Sequence, residues 1–241
     1  MSKKLFIYSI IAFFAGNVFV SCSNDSEEPF QVMTDAYYIN QVLQGEERTA
    51  ISFYAYANDH INSAKVATPA GGTIMLEDEL GYSTTWMKEP EITEYSTTIP
   101  DEGTYQFTVI SEDGVELIRN DVLEDVNLGI PALDTISYNA TNVAYRVTWN
   151  ELENADAYMV RVLNETRQII FTGYTVGNDV FEYEIGQGAN SGTWEESPQS
   201  SETYIFQLSA YAFDDDADSF NYAYNLQELS LSETEVIWGE E

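Results

Sequence analysis

The chain has 241 residues, with 41 acidic against 9 basic side chains and a formal charge of −32. That balance excludes a nucleic-acid partner, since phosphates would be repelled and no basic patch exists to release counterions. It equally opposes unaided binding to anionic lipid. Seventeen Tyr, twelve Phe and four Trp exclude a solvated acidic tail and predict a folded core under an acidic skin that keeps the protein soluble.

The first thirty residues carry an address. Lys3 and Lys4 form a short positive flank, Leu5 to Phe14 is apolar, and Val18-Phe19-Val20 resumes the apolar run after Gly16-Asn17. Small Ser21 directly precedes Cys22, the single cysteine. This is the pattern of a secretory signal. The run is shorter than the roughly 20 residues that span a bilayer, and Ser23 to Glu28 offers no basic stop. With no second cysteine, Cys22 has no disulfide partner in this chain.

Val20-Ser21-Cys22 resembles the lipobox of bacterial lipoproteins, with Phe19 where leucine is usual. The Ser-Cys-Ser-Asn-Asp start resembles lipoproteins of the Bacteroidetes group, in which a short acidic run such as Asp25, Glu27 and Glu28 often marks transport to the outer leaflet. The resemblance implies a signal peptide over 1–21, an acylated Cys22, an acidic tether over 22–29 and lipid anchoring at the bacterial outer membrane. Each buried methylene contributes about 0.8 kcal/mol, so two or three acyl chains hold firmly where one is marginal. Loss of Lys3 and Lys4 with the signal moves the charge from −32 to −34.

The remainder has room for one large domain or two ordinary ones. Gly129 and Pro131 break the pattern between Asn127 and Asp134, which divides the chain into 30–128 and 129–241. In the first part Ala50 to Ala57 alternates, with Ile51, Phe53, Ala55 and Ala57 inward. Ala64 to Ala67 and Thr73 to Leu76 read as short strands separated by Pro69 and Gly71-Gly72. Thr104 to Val109 puts Tyr105, Phe107 and Val109 inward; Glu112-Asp113-Gly114 then turns the chain and Val115 to Leu117 returns it. Tyr37 to Leu43 fits either a strand or a helical turn. Gly103 to Val109 resembles the late strand of bacterial immunoglobulin-like domains.

In the second part Tyr145, Val147 and Trp149 share one phase, as do Tyr158, Val160 and Val162. Gln168 to Thr172 reads as an edge strand. Phe181, Tyr183 and Ile185 point inward, as do Tyr204, Phe206, Leu208 and Ala210, and Leu226 to Trp238 supplies the last strand. Val147-Thr148-Trp149, Ala155 to Val162 and Tyr204 to Ala210 together resemble fibronectin type III. In that family the tryptophan lies on the second strand, and the two tyrosine-led runs are the third and sixth. The resemblance places Trp149, Tyr158 and Tyr204 in the core. The fold expectation is therefore all-β: two tandem immunoglobulin-like, fibronectin type III-like β-sandwiches after a lipoprotein signal peptide.

Three groups are candidate sites. Asp214, Asp216 and Asp218 alternate in one turn and are candidates for calcium; Ser219 and Asn225 occupy the places where an EF-hand needs Gly and Glu, so the loop is not one. Trp86 and Trp194 lie outside the alternating runs and are read as loop residues able to stack on sugars or anchor a protein. His60, the one histidine, sits in a turn beside Asp59 with no nucleophile placed by any motif. No phosphate-binding glycine loop or nucleophile elbow occurs. The reading is a non-catalytic envelope lipoprotein that binds or builds. Its expected partners are the membrane through Cys22 and a glycan or envelope protein. A glycan-binding accessory protein using the two tryptophans and a carboxylate-based glycoside hydrolase or enzyme subunit are the alternatives.

Overall fold

The computed structural model describes residues 28–78, 81–124, 128–186, 191–214, 217 and 225–239. Every regular element among them is a β-strand. The first half supplies β1 (Val32–Leu43), β2 (Glu46–Ala57), β3 (Ile61–Ala67), β4 (Thr73–Met75), β5 (Thr85–Lys88), β6 (Gly103–Ser111) and β7 (Glu116–Leu123). The second supplies β8 (Leu133–Asn139), β9 (Ala144–Trp149), β10 (Ala157–Asn164), β11 (Ile169–Gly173), β12 (Val176–Gly177), β13 (Glu182–Gly186), β14 (Gly192–Trp194), β15 (Thr203–Phe213) and β16 (Leu226–Ile237). The segment from Tyr37 to Leu43 is thus strand. It leads into β2 through Gln44-Gly45, whose positive φ values of 57° and 83° make the tight two-residue turn that matches strand twist.

The strands form three sheets, which corrects the expectation of two separate tandem sandwiches. One sheet has nine strands in the order β14-β11-β10-β15-β16-β1-β2-β5, with β12 on β10; the others are β13-β9-β8 and β4-β3-β6-β7. The joint is a parallel ladder between β1 and β16, pairing Tyr38 with Glu228, Ile39 with Leu229, Asn40 with Ser230 and Gln41 with Leu231. Residues Glu228 to Leu231 pair with β15 on one side and with β1 on the other. The edge that a free-standing second sandwich would leave open is closed by the first strand of the first half.

Paired residues of a ladder point to the same face, so Tyr38 and Asn40 share a face with Glu228 and Ser230. Both small sheets pack on that face. The second core gathers Tyr145, Val147 and Trp149 of β9, Tyr158, Val160 and Val162 of β10, Tyr183 and Ile185, and Tyr204, Phe206, Leu208 and Ala210 of β15 around Trp238. These are the residues whose alternation predicts burial. The first core gathers Phe53, Ala55 and Ala57 with Val66, Tyr105, Phe107 and Val109, again in the predicted phase. β9 and β10 take the second and third places of their half, and β15 the sixth once short β12 and β14 are set aside, in the fibronectin type III-like manner.

The opposite face of the large sheet is buried too, around Tyr37, Ile39, Met159, Tyr211, Leu229 and Leu231. Among the described residues Tyr95 joins this cluster, held by paired backbone bonds between Thr49 and Ser96 at 2.8 and 3.0 Å. β10 is therefore buried in both phases, Met159 and Arg161 included, where alternation alone predicts one. β11 is likewise not an edge: β14 covers it, pairing Phe171 with Trp194. Gly192 permits that approach, since a Cβ there would lie 2.4 Å from the Thr172 carbonyl oxygen. The true edges, β14 and β5, are only three and four residues long, a length that discourages pairing with other chains.

Candidate functional site

Among the described residues, the two predicted tryptophans lie on different cores, Trp86 on the first and Trp194 on the second. Cys22, Asp216 and Asp218 lie outside the described residues. Asp214 is half-buried just after β15 and its backbone N–H donates to Asn225 O at 3.0 Å. Among the described residues no group of three or more His, Cys, Asp or Glu is placed to hold a metal ion. His60 is exposed; its backbone N–H donates to the Asp59 carboxylate at 2.7 Å, so that contact belongs to the turn.

The placement of both tryptophans on loops is corrected. Trp86 is in β5, opposite Ala55, and packs on the first core with its indole nitrogen buried. Trp194 is in β14 and packs on the second core. Its ring lies 4.6 Å from Phe171 and 5.7 Å from Trp238, and its N–H donates to Gly186 O at 3.1 Å. Strands of four and three residues are too short to show a period, so alternation does not reveal that either ring lies on one.

Polar chemistry collects instead at the seam between the halves. Asn40 Nδ2 donates to Glu228 Oε1 and, at 3.2 Å, to Ser230 Oγ. Thr49 Oγ1 donates to Asn40 Oδ1 at 2.5 Å. The chain entering the second half is held by the same residues: Leu128 N–H donates to Glu228 Oε2 at 3.2 Å, and Ser230 Oγ donates to Leu128 O at 3.0 Å. Glu124 N–H donates to Gln227 Oε1 at 3.3 Å. Glu228 is only 1% exposed, so these bonds offset a desolvation that would otherwise be costly.

The start of the ladder is also finished by side chains. Leu226 N–H donates to Asp35 Oδ2 at 3.2 Å and Ala36 N–H donates to Asp121 Oδ2 at 2.5 Å. Two clefts flank the crossing chain, with Ile130 lining both. One, of about 600 Å³, lies between Val42, Pro131, Leu133 and Ser232 and holds the Arg167–Glu233 ion pair at 2.5 Å. The other, of about 400 Å³, is bordered by Asn40, Arg48, Ile99 and Glu228. The described side chains lining them offer hydrogen bonding and ion pairing, through Asn40, Arg48, Arg167, Glu228 and Glu233.

The tyrosines near the cores act as struts. Tyr105 OH donates to Asp101 O at 2.6 Å; burial, then Asp101, pushes its pKa up to about 12. Tyr204 OH accepts the Gln199 N–H at 2.8 Å. Each ties the start of a core strand to the backbone just upstream, the device of the tyrosine corner in sandwich folds. Tyr145 OH donates to Ile237 O and accepts from Gly239 N–H at 2.8 and 2.9 Å, bracketing Trp238.

No family model matches the chain, and no curated protein matches it. Among solved structures, a two fibronectin type-III domain segment from chicken tenascin aligns at 11% identity with a TM-score of 0.27, over 86% of this chain and 99% of that one. The BSP domain of a biofilm associated protein aligns at 14% identity and the same TM-score of 0.27, over 87% of this chain and 30% of that one. The sandwich character of the chain rests on its own sheets and register; likeness at this level adds nothing about ligand or partner. No helix of the described residues is long and apolar enough to cross a membrane.

Proposed function

We propose that the protein is a lipid-anchored envelope module that presents a rigid binding or structural surface. The anchor is Cys22, after a signal peptide over 1–21 and before an acidic tether over 22–29, and the site of display is the bacterial outer membrane. The observation that carries the rigid part is the β1–β16 ladder. Two sandwiches joined by a linker would swing, whereas two halves sharing one hydrogen-bonded sheet hold one angle. The partner class is an envelope protein or a glycan.

The test uses one Cys22→Ser background carrying Thr104→Cys and Ser137→Cys, two exposed positions on the small sheets of the two halves. Spin labels there are expected to give one narrow distance distribution; a broad one sinks the rigid-module reading. The Cys22→Ser chain without labels should leave the membrane fraction or remain uncleaved, and processed protein still held in detergent would remove the anchor. A specific glycan hit on an array, lost in Trp86→Ala with the fold retained, would replace the structural reading by a carbohydrate-binding one.

A further inference from the structure

Asp35 is a buried carboxyl at the seam whose hydrogen bonding is left incomplete. It sits on β1 three residues before the ladder begins at Tyr38 and is only 2% exposed. Oδ2 accepts the Leu226 N–H at 3.2 Å, while Oδ1 is buried with no hydrogen-bond partner. Among the described residues, the groups that face it bring no positive charge. Asp121 approaches from β7 and Asp214 from the segment after β15; Tyr37 follows on β1, and Tyr54 stands opposite on β2. An ionised carboxylate here would be desolvated and repelled at once. A cation would relieve this, but among the described residues no ligand set is formed. A proton on Oδ1 relieves it with no further ligands.

We propose that Asp35 is a proton-operated latch on the seam: in its neutral form it holds the Leu226 N–H at the head of β16, and ionisation loosens the ladder that joins the two halves. Burial first, then Asp121 and Asp214, push this carboxyl well above its ordinary 3.8, against the pull of the Leu226 and Ala36 N–H groups. The sign follows. Between 3.8 and the raised value the folded chain holds a proton that the unfolded chain has released, so stability falls as pH rises through that window and is flat outside it. The contribution is complete below 3.8 and gone above the raised value. Acid thus strengthens the joint and alkali weakens it, making the angle between the halves responsive to the medium.

The test is thermal unfolding of the full chain and of Asp35→Asn across pH, with amide exchange at Leu226 as the local readout. Asparagine keeps an oxygen for the Leu226 N–H and cannot ionise. The two proteins should match at acid pH, and the variant should become progressively the more stable as pH rises, with Leu226 exchange slowed relative to the parent. Parallel pH profiles would overturn the latch. So would a calcium-induced rise in midpoint seen in the parent and absent in Asp35→Asn, since the carboxyl would then serve a cation. Asp121→Asn gives a second arm: removing that neighbour should move the parent's window to lower pH, and an unmoved window counts against the proposal. The label-distance experiment tests rigidity and this one tests its control, so the two fail separately.

Discussion

The two halves close their cores differently around a shared device. Each ties a tyrosine at the start of its long inner strand to the backbone upstream, Tyr105 in one and Tyr204 in the other. The first half then fills its centre with Phe53, 5.6 Å from Tyr105 and 6.3 Å from Phe107. The second gathers its centre on Trp238, 4.9 Å from Tyr145, 5.7 Å from Trp194, 6.0 Å from Tyr204 and 6.2 Å from Phe206. Aromatic contacts of this spacing add to the area they bury. The second half thus depends on a residue beyond its last strand, and the first does not. Between them the seam reverses the chemistry: Asn40, Glu228 and Ser230 occupy the face that carries hydrophobic side chains on either side. The lesson is that apolar packing fixes each sandwich, while directional polar bonds fix how the two are joined.

The contrast is broken most directly at Trp238. Trp238→Ala removes a ring that is 3% exposed and leaves four aromatic neighbours facing a void. Truncations of this kind cost about 3–5 kcal/mol. Denaturant unfolding followed by tyrosine fluorescence should show that loss, with amide exchange in β9 and β15 accelerated before that in β3 and β6. Equal acceleration in both halves would mean that the cores melt as one and that their different closure is irrelevant.

A smaller and differently placed effect is expected at the seam. Asn40→Ala deprives Glu228 of one donor and Ser230 of another, and leaves Thr49 without its acceptor. Leaving buried polar groups short of partners costs about 1–3 kcal/mol. Exchange should rise first at Leu128 and along Glu228 to Leu231, and the distance between labels on the two halves should broaden. A uniform loss over the whole chain, with the seam no faster than the cores, would show that the ladder is held by its backbone alone.

These two positions also mark what the sequence could and could not tell. Tyr145, Val147 and Trp149 alternate with polar neighbours, so period two finds their strand and its inward face. The same holds for Tyr105, Phe107 and Val109. The parallel pairing of β1 with β16 joins residues nearly two hundred positions apart, and no local period records a partner at that range. A partial signal existed in Ala36-Tyr37-Tyr38-Ile39, apolar in both phases, which is how a strand covered on both faces reads; Tyr158-Met159-Val160 carries it too. Asn40 and Glu228 gave no signal, because a buried carboxylate in a chain with 41 acids looks like any other until its ladder is known. Trp86 and Trp194 were legible as aromatic but not as strand, since β5 and β14 exist only through pairing with β2 and β11.

The least effect is expected where charge meets charge in solvent. Arg146 and Glu182 form an ion pair between β9 and β13, with side chains 63% and 61% exposed. Such a pair contributes no more than about 1 kcal/mol, because water screens the attraction and two long side chains must be held in one geometry. Arg146→Gln should therefore move the unfolding midpoint far less than Asn40→Ala, although both remove a single polar contact. It should also respond to salt in a way the seam does not. At low ionic strength Arg146 also offsets part of a charge of −32, so its loss is felt through the field as well as through Glu182. Added salt shortens the range of both effects, to about 10 Å at 0.1 M, and the gap between parent and variant should shrink. For Asn40→Ala the gap should persist, since its partners are shielded from the ions. A salt-insensitive Arg146→Gln, or a salt-sensitive Asn40→Ala, would reverse the assignment of which contact is buried and which is exposed.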